Sequence, residues 1–406
     1  MEASPKGPLV YETWKAISVR GETASGSYEV RLYTDAPIEE FYQREYGPYL
    51  FIHTGHPEVE GPQCVPALVL LMPDISNSIA GLYMTSNLVF HEPWEKETSD
   101  RPAVAPPDIQ SDMHRYHAGV LHDEVAALTS LALGIRLKAS GSVRWFDPYT
   151  GEKGRPTYRH DLSTPSYSRQ FSTYVIPDAV TPRDFAPELL NAIPTLEPQA
   201  ATALIKAARR YQQGLWLSES EPEETWEKLV DAVEAAAEYW NEDVGQSVEW
   251  LRGASAMQEF VTLLEQAGGE ELLGQAANLI APLVKVTTRF IGFILHYLPP
   301  APEQRPGIEG QVPWSKTKLR DPLSTIYDYR SRSHHGGQAF PLPMCRPPER
   351  RDHWKAPAEK TLYLSTEHPT AVWRAEDTPL SLHMFAYLVR GSLCNWWQKR
   401  CPKRCV

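Results

Sequence analysis

The segment Tyr327-Asp328-Tyr329-Arg330-Ser331-Arg332-Ser333-His334-His335-Gly336-Gly337 holds the most pointed chemistry in this chain. Arg330 and His334 lie four residues apart, near the end of a predicted helix, and His335 follows at once. A guanidinium is a permanently charged, planar ligand that grips a phosphate with two parallel hydrogen bonds. An imidazole gives or takes a proton near neutrality. One group to hold a phosphate and one to move protons is the minimum needed to cut RNA without a metal. Arginines and histidines also meet by chance in soluble proteins, so the surroundings must carry the assignment.

The local pattern predicts how a helix presents these groups. Asp321 suits an N-cap, Pro322 the first helical position and Gly336 a left-handed stop. Leu323, Ile326 and Tyr327 mark a buried stripe, and Arg330, seven residues after Leu323, points along it. A guanidinium on that side must find a partner or lie at an interface. His334 follows one turn later on the same face, whereas His335 stands about 140° round the helix from Arg330. Helical geometry thus favours His334. His335 gains from the helix end, whose negative dipole favours a charged imidazole, and from two glycines that leave room for a substrate backbone.

The rest of the chain must position this segment. Its 406 residues, 42% hydrophobic and 22% charged, suffice for two or three ordinary domains. No apolar stretch follows a basic start, so no secretory signal is expected. The run from Asn278 to Pro300 is broken by Lys285, Arg289 and His296, which argues for a buried helix and against a membrane span. Cys64, Cys345, Cys394, Cys401 and Cys405 form an odd, unpatterned set, as in reduced cytoplasmic proteins.

Charge is uneven. The whole chain carries −11, residues 191–271 hold 5 basic and 16 acidic side chains, and residues 272–406 hold 19 basic and 10 acidic ones. The basic part contains the Arg/His segment, and a local positive field matters more to a polyanion than the total.

The expected class is α+β: a mixed α/β domain over residues 1–190, then an all-α bundle over 191–406. Alternating runs at Tyr28–Tyr33, Tyr49–His53 and Ala67–Met72 read as strands, and a helix is expected from Asp123 to about Leu137. Beyond Pro198 the spacing turns helical. Leu204, Ala208, Tyr211 and Leu215 form one stripe, and Trp226, Leu229, Val230, Val233, Ala237 and Trp240 another. Leu251 to Leu264 suggests a third helix, and Leu272 to Tyr297 a longer one. The last should run from about Pro379 to Lys399, with Leu382, Phe385, Leu388, Val389 and Trp396 inward.

Familiar signatures are absent: no P-loop, dinucleotide turn, nucleophile elbow, HExxH or CxxC pair. A zinc or manganese site can be drawn from His114, His117, His122, Asp123 and Glu124, but acids are ordinary in a first helical turn, so no metal is assigned. Cys394, Cys401 and Cys405 lack a second thiol pair at ligand spacing. No cofactor is expected.

The Arg-Ser-x-x-x-His-Gly run on the penultimate helix resembles the Arg-x4-6-His signature of HEPN domains. Ala207 to Leu215 followed by Leu229 to Glu234 resembles the first two helices of the ApeA-like HEPN group. Ile280 to Leu283, Arg289 to Ile291 and Tyr387 to Arg390 are similar to its later helices. The likeness covers roughly residues 197–400. It places the motif histidine at His335, with His334 inside the spacer. Gly337 stands where a related class carries a nucleotidylated tyrosine. The segment 338–377, rich in proline and holding Arg346, Arg350, Arg351, Trp354, Lys355 and Trp373, departs from the pattern as an insertion.

The resemblance implies a metal-independent endoribonuclease, a cytoplasmic homodimer whose motifs meet at a two-fold interface. Its catalytic pair would be Arg330 and His335, with Ser331, Arg332 and His334 contacting substrate. RNA is the implied substrate, bacterial antiviral defence or toxin-like growth arrest the implied setting. The N-terminal domain would be a sensor answering to a regulatory protein or phage trigger. The alternative is a non-catalytic HEPN module that binds RNA or a partner.

Overall fold

The computed structural model describes residues 27–34, 42–46, 49–53, 66–73, 121–146, 155–156, 170–180, 189, 196–240, 248, 252, 257–284, 286–362, 365–368 and 371–401. The chain divides into two compact units, Met1–Thr225 with Trp396–Val406 and Trp226–Asn395, where composition had suggested a division near residue 190.

In the first unit, β1 (Ser27–Tyr33), β3 (Tyr49–His53) and β4 (Pro66–Pro73) fall on the three alternating runs, joined by β2 (Tyr42–Tyr46), β5 (Lys138–Phe146) and the short β6 (Arg155–Pro156). Their order is β2-β3-β4-β1-β5-β6, and every pairing is antiparallel.

The expected class is corrected here. The described residues are mostly helical, which overturns an α+β chain opening on a mixed α/β domain. Alternation marks a strand but not its pairing. A mixed α/β layer needs parallel strands joined by helical crossovers, and no parallel pair occurs among the described residues.

Helix α1 (Leu121–Leu133) packs on α2 (Pro198–Leu217), and Val125, Leu128 and Leu131 on the one and Leu204, Ala208 and Tyr211 on the other are all buried. Beside them Arg136 and Glu219, both essentially inaccessible, pair at 3.1 Å. Glu219 also accepts the Val175 N–H at 3.0 Å, and Ser218 takes a hydrogen bond from Arg136 at 3.2 Å. A buried ion pair survives only with its remaining polar atoms satisfied, and this one is.

The second unit contains most of α3 (Pro222–Tyr239), then α4 (Gln258–Val284), α5 (Val286–His296), α6 (Lys316–Gly336) and the greater part of α7 (Leu382–Arg400). It is not all-α. Within the insertion, β7 (Ser365–His368) and β8 (Ala371–Trp373) form an antiparallel ribbon. Two helical boundaries also move. The expected break between a third and a longer helix becomes a kink inside α4 at Gly269, whose φ of 63° and ψ of −156° suit glycine alone. The longer helix instead ends at Val284, and α5 begins at Val286.

The core of this unit is aromatic. Trp226 stacks on Phe385 at 4.9 Å and Phe340 at 5.6 Å between ring centroids, and its indole N–H donates to the Met344 carbonyl at 3.2 Å. Phe290 lies 5.2 Å from Tyr327 and 6.4 Å from Phe385. This cluster anchors α3, α5, α6 and α7 and so fixes which face of α6 turns inward. Gly391 permits a close approach on α7: a Cβ there would stand 2.5 Å from the Pro299 ring.

Among the described residues no helix is long and apolar enough to cross a membrane.

Candidate functional site on helix α6

Helix α6 starts a turn and a half earlier than its proline suggests. Ser315 is the N-cap, its hydroxyl accepting the Lys318 N–H at 3.3 Å, and Pro322 lies inside the helix. The buried stripe explains the extension, because it reaches back through Leu319 before Leu323, Ile326 and Tyr327. The left-handed stop is Gly337 (φ 61°), one residue later than expected, with its N–H on the Ser333 carbonyl at 3.0 Å. His334 and His335 therefore occupy the last turn.

Arg330 points along the stripe and meets α3. Its Nη2 lies 3.2 Å from Asp231 Oδ1 and 3.0 Å from Glu234 Oε2. Tyr327 donates to the other oxygen of Glu234 at 2.7 Å, and Ser333 donates to Glu227 Oε1 at 2.6 Å. Glu227, Asp231 and Glu234 recur at helical spacing on one face of α3, and Ser333, Arg330 and Tyr327 answer them in reverse order on α6. The two helices thus run antiparallel along a polar ladder.

Burial, at 18% exposure for Arg330 and 20% for Glu234, gives the ladder weight that a surface pair lacks. Burial pushes the Glu234 carboxyl above its ordinary range, partly offset by the Tyr327 hydrogen bond and the Arg330 charge, while Asp231 pushes it further up and His334 pulls it down. For Arg330, burial works against the charge, but Glu234 and Asp231 outweigh it and the guanidinium is held above its ordinary value. Burial and Glu234 likewise raise the Tyr327 phenol. The pair is pulled two ways. A guanidinium is ionised in any case, so Glu234 is the member whose titration can change.

The other expected site residues divide. Ser331 is half-buried, whereas Arg332, His334 and His335 are exposed. The two imidazoles meet edge to face, 5.0 Å apart at an interplanar angle of 81°. His334 is near enough to Glu234 to act on its charge.

Asp123 lies 3.6 Å from Arg209, Glu124 is buried, and no group of three ligand-type residues occurs among the described residues. His114, His117 and Cys405, like the side chain of His122, lie outside what is described. Cys345, Cys394 and Cys401 form no disulfide.

The insertion is substantially a structural cover. Trp354 lies so close to Gly307 and Gly310 that a Cβ there would come within 2.6 Å and 2.9 Å of its ring, and the Arg351 guanidinium sits 4.6 Å over it. Arg351 also pairs with Glu349 and Glu309. Arg305 grips the buried Glu359 with Nε at 2.7 Å and Nη2 at 2.6 Å, and Glu359 Oε2 accepts the Val312 N–H at 2.7 Å. Arg346, Arg350 and Lys355 remain exposed.

Sequence reasoning missed Glu227, Asp231, Glu234 and the role of Tyr327. The signal was present: an acidic stripe beside the apolar one on α3, with a hydroxyl and guanidinium stripe of matching pitch on α6. No protein-family model, curated protein or solved structure matches the chain.

Proposed function

We propose that this protein is a HEPN-type, metal-independent endoribonuclease acting through Arg330 and His335 in a homodimer, in bacterial antiviral defence or growth arrest. The observation that carries the reading is the exposed imidazole pair at the end of α6, one turn beyond a guanidinium held at a fixed azimuth by two carboxylates.

The chemistry follows from those groups. The ribose 2′-oxygen attacks the adjacent phosphorus, forming one P–O bond while the bond to the 5′-oxygen breaks. The 2′-hydroxyl proton passes to a neutral imidazole, and the leaving 5′-oxygen takes a proton from an imidazolium. Positive charge offsets what develops on the phosphorane oxygens. One chain offers one motif, and a two-fold axis through the C-terminal helices would supply the second histidine and arginine. Ser331, Arg332 and His334 are supporting contacts, and the first unit is a sensor for a regulatory protein or phage component.

Purified full-length protein incubated with total RNA in EDTA, beside Arg330→Ala, tests the reading. Metal-independent products ending in 2′,3′-cyclic phosphate, lost in the variant, are expected, and light scattering should report a dimer. RNA left intact by the wild type overturns the nuclease.

The second reading, a non-catalytic module that binds RNA or a partner, is favoured by one fact: the acidic ladder gives Arg330 a complete structural reason to exist.

A further inference from the structure

The last turns of α6 carry two Arg/His pairs. At about 100° per residue, Arg330 and His334 stand some 40° apart, Arg332 and His335 some 60° apart, and the pairs face roughly 150° away from each other. Their surroundings differ. Arg330 is tied to Asp231 and Glu234, and His334 acts on Glu234. That face lines up three acids of α3, with Asp231 and Glu234 on the one guanidinium and Glu227 on the Ser333 hydroxyl beside it. A phosphodiester approaching it meets net negative charge.

The opposite face is open. Arg332 and His335 are exposed, and neither makes an ion pair among the described residues. The groups around Arg332 are Tyr329, whose phenol its charge acts on, Asp328 one turn back and Asp377, whose carbonyl accepts the Tyr329 hydroxyl at 2.8 Å. Both acids are exposed, and solvated carboxylates hold a guanidinium weakly.

We propose that Arg332, rather than Arg330, is the phosphate ligand that works with His335, and that Arg330 is a positioning residue locking α6 against α3. The assignment rests on the nuclease reading. It keeps His335 and the reaction and moves the substrate-facing cation to the other side of the helix. It also accounts for the duplicated histidine: His334 belongs to the inward, acid-facing pair and His335 to the outward one. The ligand class is a single-stranded RNA phosphodiester. Arg332 hydrogen-bonds its non-bridging oxygens as the P–O2′ bond forms and the P–O5′ bond breaks.

The test measures kcat, KM and melting midpoint for the full chain on a labelled random-sequence RNA in EDTA. Arg332→Ala should lower kcat/KM by about 10²-fold with an unchanged midpoint, the usual scale for losing a charge stabiliser. Arg332→Lys, keeping charge without the planar fork, should recover part of the loss. Arg330→Ala should lower the midpoint as well as the rate. An active wild type whose Arg332→Ala variant keeps its kcat/KM overturns this assignment alone. So does a loss in Arg332→Ala matched by an equal fall in melting midpoint. A wild type inert on RNA overturns the nuclease reading, and this one with it.

Discussion

Tyr327 gives its hydroxyl hydrogen to Glu234 at 2.7 Å, on a carboxylate whose second oxygen receives Arg330 at 3.0 Å. A carboxylate shared in this way fixes the rotation of α6 about its own axis more tightly than hydrophobic packing can. Leucine and isoleucine accept small rolls, whereas hydrogen bonds lose strength steeply with angle. The azimuths of all the groups near the helix end depend on that shared oxygen pair.

Arg330→Ala should therefore destabilise the protein, not merely disable it. Removing the guanidinium leaves Asp231 and Glu234 partly buried without their cation, a loss of about 1–3 kcal/mol. Urea unfolding of wild type and variant at pH 7 measures it, and a variant as stable as the wild type would show that the ladder carries no weight.

The pH response of Glu234 has a definite sign. A carboxyl raised in the fold keeps a proton that the unfolded chain has already released. From the ordinary 4.5 up to its raised value, its contribution to stability therefore falls as pH rises. Burial sets the shift; of the groups that face the carboxyl, Tyr327, Arg330 and His334 temper it and Asp231 adds to it. In Glu234→Gln that slope should vanish. Between pH 7 and 4.5 the stability difference between the chains should move in the wild type's favour, and a pH-independent difference in urea midpoints would count against the buried, shared carboxylate.

The two histidines should separate by function. His335→Ala should reduce RNA cleavage by about 10²-fold or more, the scale for a positioned proton-transfer group, and His334→Ala by less. Cleavage assays in EDTA decide it. If His334→Ala abolishes activity while His335→Ala leaves it intact, the inward-facing pair is the working one.

Trp226→Ala should cost about 3–5 kcal/mol, as for other aromatic deletions from a packed core, because the indole is fully buried between Phe385 and Phe340. Trp226→Phe keeps an aromatic ring in the stack but loses part of the indole's volume and the bond to the Met344 carbonyl, so its cost should be smaller, about 1–3 kcal/mol. Denaturant titration ranks the two, and equal costs would contradict a packing-dominated site.

Much of the helical frame was legible because its stripes are strong. Leu204, Ala208, Tyr211, Leu215, Trp226, Leu229, Val233, Leu382, Phe385, Leu388 and Trp396 all proved buried on the helices that their spacing predicted. Boundaries failed where one residue type serves two purposes. Pro322 reads as a helix start, yet Leu319 and the Ser315 cap carry α6 past it. The stretch at Gly269 reads as a gap between two helices, yet one helix runs through it and bends at that left-handed residue. Arg330 was correctly placed on the apolar side. Its partners were not found, because single-helix spacing gives a residue's azimuth but not which other helix lies opposite. The N-terminal class failed for a related reason: alternation gives strands, whereas parallel or antiparallel pairing is decided by connections that the pattern does not encode.

Pro322 sets the order in which α6 comes apart. Proline offers no N–H to the Lys318 carbonyl four residues back, so the helix has a missing rung between its capped beginning and its laddered end. Opening that starts at Ser315 can stop there instead of running on to Tyr327. Amides from Lys316 to Asp321 should exchange with deuterium through local opening, while those from Ile326 to Ser333 should wait for α3 and α6 to part. The turn bearing Arg330 is thereby insulated from fraying at the other end of its own helix.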